Sequence, residues 1–278
     1  MFEHAHKLFD EMPQLYCERT VMSFNALLAA CVNSKKFDKI DDFFRELPEK
    51  LSIEPDRVSY NTVVKAFCGM GSLDSALEVL NEMGKNRLEP DLVTFNTLLD
   101  AFYRNKRFSD AEKLWGLMED KNVVPNVRSY NPKLRALTSD NRISEAVELI
   151  EEMGRKGVKP DVYSFNALIK GFSDVGNLEE AKRWFGEIVR NDCAPDRSTF
   201  KMLVPFVCKK GDFDFALQLG KKVISGRHII ATETMQLVVD GLVKESKIEE
   251  AEELVELGKS NNYFYYKLKM PIDDELTD

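Results

Sequence analysis

The chain has 278 residues and a formal net charge of −8, and its 44% hydrophobic and 31% charged residues are typical of a folded protein rather than a disordered or fibrous one. No apolar run reaches the ~18 residues that a membrane-spanning helix needs. The five cysteines form no C-x-x-C pair, which argues against a disulfide framework and a zinc site and favours a reducing compartment.

The chain is built from similar segments, because one position recurs every 35 residues, with a single first interval of 36. We number each repeat so that this residue is position 5. Its occupants are, in chain order, Asn25, Asn61, Asn96, Asn131, Asn166, Lys201 and Gln236. The predicted segments are a partial repeat at 1–20, repeats one to seven at 21–56, 57–91, 92–126, 127–161, 162–196, 197–231 and 232–266, and an acidic tail at 267–278.

Each repeat is predicted to begin with a helix. Position 3 is Ser or Thr in all seven repeats, and both are good N-caps, so the helix is expected to start there. Positions 4 and 8 are apolar throughout, and this spacing predicts the buried face of the helix. The pairs are Phe24/Leu28, Tyr60/Val64, Phe95/Leu99, Tyr130/Leu134, Phe165/Ile169, Phe200/Val204 and Met235/Val239.

A second helix is predicted in each repeat after a turn near position 15, which carries Gly71, Gly176 and Gly211. Position 20 is Ala in repeats two to seven, and a small residue there lets two helix backbones approach closely. Pro-Asp pairs such as Pro90-Asp91 are expected to stop the second helix and turn the chain. Because neither helix can bury its apolar stripe alone, the repeats are expected to stack as an α-solenoid.

These features resemble the pentatricopeptide repeat (PPR) family, P class. The 35-residue period, the Ser/Thr-Phe/Tyr-Asn start, Ala at position 20 and the M-x(6)-P-D ending, as from Met83 to Asp91, carry the resemblance over residues 1–266. The related 34-residue tetratricopeptide repeats favour a small residue at position 8, which here is Leu, Val or Ile. The resemblance implies an all-α fold, a right-handed α-solenoid superhelix of helix-turn-helix repeats, and binding of single-stranded RNA at about one base per repeat.

The resemblance also implies which residues read bases. Position 5 and the last residue of the repeat act together in the family: Asn with Asp resembles its uracil combination, and Asn with Asn its cytosine-or-uracil combination. Carried over, repeats one to five would read 5′-U-U-Y-U-U-3′, where Y is a pyrimidine and the RNA runs parallel to the chain. The pairs are Asn25 with Asp56, Asn61 with Asp91, Asn96 with Asn126, Asn131 with Asp161, and Asn166 with Asp196.

Two further sets of residues are expected to contact the RNA. Position 2 holds an apolar wedge between bases in the family, and here it is Met22, Val58, Val93, Arg128 and Tyr163. Arg128 and Tyr163 depart from that pattern, although a guanidinium or a ring can stack on a base. Basic residues on the first helices of repeats two to six are expected to contact phosphates, namely Lys65, Arg104, Arg135, Lys170 and Lys209.

The last two repeats depart from the pattern. Repeat six has Lys201 at position 5 and Ala231 at its end, and its Pro205 is expected to kink or break the first helix. Repeat seven pairs Gln236 with Tyr266. We interpret both repeats as packing and capping units, with protein contact as the alternative.

Two other places carry predictions. Pro132, at position 6 of repeat four, is expected in the first helical turn, where proline is tolerated. Residues 1–14 are similar to a second helix whose partner is missing. A transit peptide and at least half a repeat are therefore expected upstream of Met1.

Several of these residues also have simpler interpretations. In the simpler interpretation the position-5 Asn residues are helix-start residues with no role in RNA binding, and the terminal Asp residues are turn formers near a helix N-terminus. Cys31, Cys68 and Cys208 are expected to be packing residues, and His4 and His6 lack partner ligands for a metal. We find no phosphate loop, no deaminase motif and no Ser/His/Asp set, so we predict no enzyme, no metal, no cofactor and no small-molecule substrate.

Certain stretches resemble a narrower group. SFNALLAACVNSKKFD (23–38) and ELPEKLSIEPDRVSYNT (46–62) are similar to short plant mitochondrial PPR proteins of the mitochondrial small ribosomal subunit. This resemblance implies a component of that subunit in the mitochondrial matrix, with ribosomal RNA and neighbouring ribosomal proteins as partners and no membrane. The alternatives are a freestanding organellar factor for mRNA stability, processing or translation, a location in the plastid stroma, and a protein-binding scaffold without RNA.

Overall fold

The computed structural model describes residues 2–260 and 267–271, and the regular structure within these ranges is all helical. Tyr266 and most of the predicted acidic tail lie outside the described residues. None of the described helices combines the length and the apolar character that crossing a membrane requires.

The chain forms two compact units, Met1–Ala136 and Leu137–Asp278. The first unit holds α1 (Phe2–Glu11), a short 3-10 helix (Met12–Leu15), α2 (Val21–Asn33), α3 (Asp38–Leu51), α4 (Arg57–Met70), α5 (Leu73–Lys85), α6 (Leu92–Arg104) and α7 (Phe108–Asp120). Helix α8 (Val127–Ser139) spans the boundary. The second unit holds α9 (Ile143–Arg155), α10 (Val162–Asp174), α11 (Leu178–Arg190), α12 (Arg197–Lys209), α13 (Phe213–Ser225), α14 (Thr232–Lys244) and α15 (Ile248–Ser260).

Within each unit, first helices pack on first helices. In the first unit α2 contacts α4 and α4 contacts α6, and each of these helices also contacts the second helix of its own repeat. The second unit repeats this arrangement with α10, α12 and α14. Contacts between neighbouring helix pairs are the packing expected of an α-solenoid.

The predicted apolar face is the buried one. Both members of every position-4/8 pair are buried, and Phe24, Leu28, Tyr130 and Leu134 have no exposed surface at all. The alanines at position 20 also have no exposed surface, which fits their role as small residues where helices approach each other.

The first helices begin earlier than the sequence predicted. The N-cap is the last residue of the preceding repeat: Asp56 has extended backbone, with φ −100° and ψ −178°, and caps α4. Ser59 is therefore the third residue of the helix, and it closes a capping box by accepting a hydrogen bond from the Asp56 N–H. The prediction that position 3 is the N-cap is wrong because Asp, which caps as well as Ser, precedes it by three residues.

The second helices end without help from proline. Helix α5 stops at Lys85, and Arg87 then adopts a left-handed conformation with φ 59°. The N–H of Leu88 bonds to the carbonyl of Met83 at 2.9 Å, which is a Schellman-type ending. Pro90 follows this turn, so the prediction that the Pro-Asp pair stops the helix is wrong. The turn between α4 and α5 does use the predicted Gly71, at φ 80°.

Three prolines lie inside the described α-helices, namely Pro48 in α3, Pro132 in α8 and Pro205 in α12. Pro205 does not break α12, which runs unbroken from Arg197 to Lys209. Pro132 is the sixth residue of α8. It therefore lies beyond the first helical turn in which the sequence pattern places it.

Candidate nucleic-acid interface

The position-5 asparagines lie in the second turn of the first helices and are half-buried. Asn25 shows how the side chain is held. Its Nδ2 donates to Oδ1 of Asp56 at 3.0 Å, and its Oδ1 accepts the hydroxyl of Ser59 at 2.6 Å. Asp56 ends the same repeat and Ser59 belongs to the next, so the amide of one repeat is held by the start of the following helix.

The same network, which we call the amide network, recurs along the chain. It consists of the position-5 Asn, the last residue of its repeat and the position-3 hydroxyl of the next repeat. Its other members are Asn61 with Asp91 and Thr94 at 3.3 and 2.6 Å, Asn96 with Asn126 and Ser129 at 3.3 and 2.6 Å, and Asn166 with Asp196 and Thr199 at 3.1 and 2.8 Å.

The last residues of repeats four and five are also helix caps. Asp161 caps α10 by accepting from the Tyr163 and Ser164 N–H groups, both at 3.0 Å, and it has the same register relation to Asn131 as in the other repeats. Asp196 caps α12 by accepting from the Thr199 N–H at 2.8 Å. Capping is thus a structural role of Asp161 and Asp196, and the base-reading role that the sequence assigns to them stays a prediction.

Burial explains why the hydroxyl takes part. Ser59, Thr94 and Thr199 have no exposed surface, and a buried hydroxyl is costly unless it is hydrogen-bonded. Thr234 follows the repeat in which Lys201 replaces the asparagine, and it is only half-buried. The asparagine and the buried hydroxyl therefore satisfy each other.

The network fixes which way the amide points. If Asn25 were flipped, its oxygen would face the Asp56 carboxylate, and two acceptors would be opposed. In the observed orientation one Nδ2 hydrogen is used by Asp56 and the other has no partner among the described residues. Oδ2 of Asp56 likewise accepts no hydrogen bond within this part of the chain. Each such repeat therefore offers one donor beside one acceptor.

Hydrogen bonds in this network lower the pKa of two of its carboxylates, Asp56 and Asp91. Burial alone would raise the pKa of Asp56, but hydrogen bonds from the Ser59 N–H, Asn25 and the Ser59 hydroxyl outweigh it and lower the pKa. The pKa of Asp91 is lowered in the same way against its burial, by Thr94 and Asn61 and by the nearby charge of Arg57. Both groups are acceptors at neutral pH.

Repeat three presents a different pair of groups. Oδ1 of Asn126 accepts from Nδ2 of Asn96 and from the N–H groups of Arg128 and Ser129, at 3.3, 3.0 and 3.3 Å. Its Nδ2 therefore stands where an aspartate would place Oδ2. This repeat offers two donors instead of a donor and an acceptor.

An exposed row of large side chains accompanies the amides at position 2. Met22 is 78% exposed, Val58 56%, Val93 59% and Tyr163 63%, and Arg128 is exposed as well. These positions lie in the first turn of their helices, three residues before the asparagines. Four apolar or aromatic side chains at the same exposed position of successive repeats are more than the scattered surface hydrophobics that need no explanation.

The predicted phosphate-binding residues are not equivalent. Arg104 and Arg135 both pair with Asp100, at 3.3 and 2.5 Å, and Lys170 pairs with Asp174 on its own helix. Lys65 and Lys209 are exposed and have no carboxylate partner within the described residues. Three of the five cations are thus paired with carboxylates, although Arg104 and Arg135 share one and keep one net positive charge between them.

In repeat seven the position-5 side chain is hydrogen-bonded to the backbone of a residue near the C-terminus. Nε2 of Gln236 donates to the carbonyl of Lys269 at 2.7 Å, and Oε1 of Gln236 accepts the Lys269 N–H at 3.1 Å. Nε2 also donates to Asp240 at 2.7 Å, and Leu268 beside this contact is buried. The side chain at position 5 of this repeat is therefore bonded to a peptide group of residues 267–271.

The cysteines, tryptophans and possible metal ligands among the described residues suggest no reactive or metal site. Burial raises the pKa of Cys31 to about 11, of Cys68 to about 12 and of Cys208 to about 11, so these thiols stay protonated at neutral pH. Trp115 and Trp184 are buried. Within the described residues no group of three or more His, Cys, Asp or Glu side chains could hold a metal ion.

Sequence reasoning missed two parts of this interface. One is the link between the position-3 hydroxyl and the asparagine of the preceding repeat, although the invariable Ser or Thr was a usable signal. The other is the contact between Gln236 and Lys269, for which the sequence carries no signal.

Comparison with known proteins places the chain in a family. The PPR repeat family matches residues 19–68, 55–104, 90–137, 129–174 and 160–209, and a single PPR repeat matches 233–263. A pentatricopeptide repeat-containing protein of Arabidopsis thaliana is 64% identical over 83 residues, which are 30% of this chain and 15% of that protein. The Arabidopsis small ribosomal subunit protein mS79 (rPPR3b) is 60% identical over 83 residues, 30% of this chain and 21% of its own.

A solved structure supports the fold. The pentatricopeptide repeat protein PPR10, in complex with an 18-nt psaJ RNA element, matches with a TM-score of 0.62 and 23% identity over 94% of this chain and 41% of its own. The family match covers well over half of the residues, and the expected all-α PPR fold is confirmed. The chain belongs to the PPR repeat family.

Proposed function

We propose that this protein binds single-stranded RNA, with the amide network of each repeat reading one base. The observation that carries the proposal is the recurrence of a fixed donor beside a fixed acceptor in repeats one, two and five, on half-exposed residues next to exposed apolar side chains. Uracil presents a carbonyl acceptor beside its N3–H donor. The free Nδ2 hydrogen suits the carbonyl, and the free carboxylate oxygen suits N3–H, directly or through a water.

Repeat three is expected to discriminate differently. Nδ2 of Asn126 replaces the carboxylate oxygen and is a donor, so it suits the N3 acceptor of cytosine. It also removes the preference for the N3–H donor of uracil. The proposed target is therefore 5′-U-U-Y-U-U-3′, and the side chains at position 2 would stack against the bases that the amides read.

The test of RNA reading is a binding titration by fluorescence anisotropy. The protein should bind 5′-UUCUU-3′ more tightly than 5′-AAGAA-3′, and Asn61→Ala with Asn96→Ala should weaken that binding by ~1–3 kcal/mol per good base contact. A protein-binding scaffold would show neither the preference nor the loss. An unchanged affinity in the double variant would refute the proposal.

We further propose that the protein works in the mitochondrial small ribosomal subunit, through binding rather than catalysis. The support is the similarity to the protein named mS79, although the match covers only 30% of this chain. The paired cations add to it, because carboxylates of Asp100 and Asp174 offset part of the positive charge of Arg104, Arg135 and Lys170 and leave fewer charges for naked RNA. Such a protein would rely on protein neighbours and on structured ribosomal RNA for its position.

The ribosomal role is tested by a sucrose gradient of mitochondrial lysate, run with intact and with dissociated ribosomes. A component of the small subunit stays with that subunit after a high-salt wash. A freestanding organellar factor would run light or move only with RNase-sensitive messenger complexes. Absence of the protein from mitochondria would overturn the proposed location in the matrix.

A further inference from the structure

Repeat six carries an open groove that the proposed base reading does not use. It lies between α10 and α12 and has a volume of ≈ 550 Å³. Its lining includes Lys170, Asp174, Ser198, Lys201, Phe206 and Lys209. We call it the lysine groove. Lys201 within it is the position-5 residue, so the groove continues the row of amides by one repeat.

Lys201 cannot read a base as the asparagines do. A lysine ammonium has three donors and no acceptor, so it cannot present a donor beside an acceptor. The last residue of this repeat is Ala231, which caps α14 without any side-chain hydrogen bond. Both members of the reading pair are therefore missing from repeat six.

The groove has an excess of positive charge. Lys201 and Lys209 are exposed, and neither has a carboxylate partner within the described residues. Lys170 pairs with Asp174, so that pair is neutral and two cations are left over. In the first unit, by contrast, Arg104 and Arg135 both contact a carboxylate, although they share Asp100 and keep one net positive charge. An unpaired ammonium is a point charge suited to phosphate.

The spacing of the two lysines suits an extended strand. They are eight residues apart on α12, which corresponds to about 12 Å along the helix axis. Two different phosphates, rather than one, can therefore be neutralised. Pro205 and Phe206 lie between them and are half-buried, and they give the groove an apolar floor against which a sugar or a base can rest without being read.

The row ends immediately afterwards. Gln236 in repeat seven is bonded to the Lys269 peptide group, so position 5 there is already occupied by the chain. We propose that the lysine groove binds backbone phosphates of the RNA on the 3′ side of the five read nucleotides, without regard to their bases. This inference rests on the proposed RNA binding and adds a sequence-neutral site to it.

The experiment compares RNA lengths and salt concentrations. Anisotropy titrations use 5′-UUCUU-3′ and the same RNA extended at its 3′ end by three abasic nucleotides, with wild-type protein and with Lys201→Gln/Lys209→Gln. The extension should tighten wild-type binding, and the double variant should lose that gain. Each phosphate neutralised on a single strand contributes about 0.7 to the slope of log K against log salt. Because the double variant loses two lysines, its slope with the longer RNA should be smaller than that of wild-type protein by about 1.4.

Two controls separate this site from general electrostatics. Lys85→Gln/Lys113→Gln removes the same charge from α5 and α7 and should leave the gain intact. Uncharged methylphosphonate linkages in the extension should abolish the gain in wild-type protein.

Each other outcome overturns a defined claim. The lysine groove is excluded if the double variant keeps the full gain, or if the pentamer binds and the extension adds nothing. If an extension that carries bases gives a gain that depends on the identity of the sixth base, Lys201 reads a base and the site is not sequence-neutral. If the pentamer fails to bind but longer RNA of any sequence binds in a lysine-dependent way, base reading is wrong and the groove stands. If no RNA binds, both claims are wrong.

Discussion

Replacing Asp91 with Asn separates the structural role of this residue from its proposed role in reading RNA. Oδ1 of Asp91 caps α6 by accepting from the Val93 and Thr94 N–H groups, both at 3.0 Å, and it also holds Asn61 at 3.3 Å. An asparagine keeps Oδ1 and changes only Oδ2, into an amide donor. Asn126 is the precedent in the same chain, because it makes the corresponding cap and holds Asn96 at 3.3 Å.

The expected changes in free energy are therefore unequal. Asn and Asp are equivalent N-caps, so Asp91→Asn should change the free energy of unfolding by less than about 1 kcal/mol. Arg57 lies 3.9 Å from Oδ2, and both side chains are partly exposed, so the loss of that ion pair adds little. A donor facing the N3–H of uracil should cost about 1 kcal/mol in RNA binding, which is about a fivefold loss of affinity.

The assay is anisotropy with 5′-UUCUU-3′ and 5′-UCCUU-3′, together with thermal melting. Wild-type protein should prefer the first RNA, and Asp91→Asn should lose or reverse that preference at the second nucleotide only. Asp91→Ala is the control: it removes the cap, should cost about 0.5–2 kcal/mol of stability, and should lower the melting temperature. The reasoning is refuted if Asp91→Asn keeps the preference for uracil, or if it melts as low as Asp91→Ala.

Three more outcomes are expected. Burial would raise the pKa of Asp91, but hydrogen bonds outweigh it and lower that pKa below 3.8. The stabilising effect of the carboxylate is therefore present above its pKa in the unfolded chain and is lost as the pH falls through its pKa in the folded protein. In acid titrations of the melting temperature, wild-type protein should lose more stability below about pH 4 than Asp91→Asn. Val58→Ser with Val93→Ser should weaken RNA binding but change stability by less than about 0.5 kcal/mol per exposed site, and the reverse result would contradict the wedge role. In Gly241→Ala the new Cβ would lie 1.7 Å from the ring of Phe213, so the substitution should lower the free energy of unfolding by about 1–3 kcal/mol. Gly116→Ala has nothing within 4 Å of the new Cβ and should be neutral or stabilising. Equal melting temperatures for the two variants would contradict this packing argument.

Local pattern was enough to predict most of the fold. The apolar residues at positions 4 and 8 are buried as the helical spacing required, and the position-20 alanines lie where helices pack. The starts of the first helices are less predictable from sequence, because each has two residues that are good N-caps. The last residue of the preceding repeat, rather than the position-3 hydroxyl, is the N-cap, as at Asp56, Asp91 and Asp196. Pro205 does not break α12 as its type suggests, and this helix packs against α10, α13 and α14.

The sequence by itself determined the period, the two-helix repeat, the buried face and the register that places asparagines at one position. These properties depend on residues a few places apart, whose geometry the helix sets. Only the tertiary structure decided that the Ser59 hydroxyl orients Asn25, that Asp100 pairs with Arg135, and that the Lys269 backbone is hydrogen-bonded to the Gln236 side chain. Those contacts join residues about one repeat apart in the chain, and they exist only because stacked helices bring equivalent turns of neighbouring repeats within hydrogen-bonding distance.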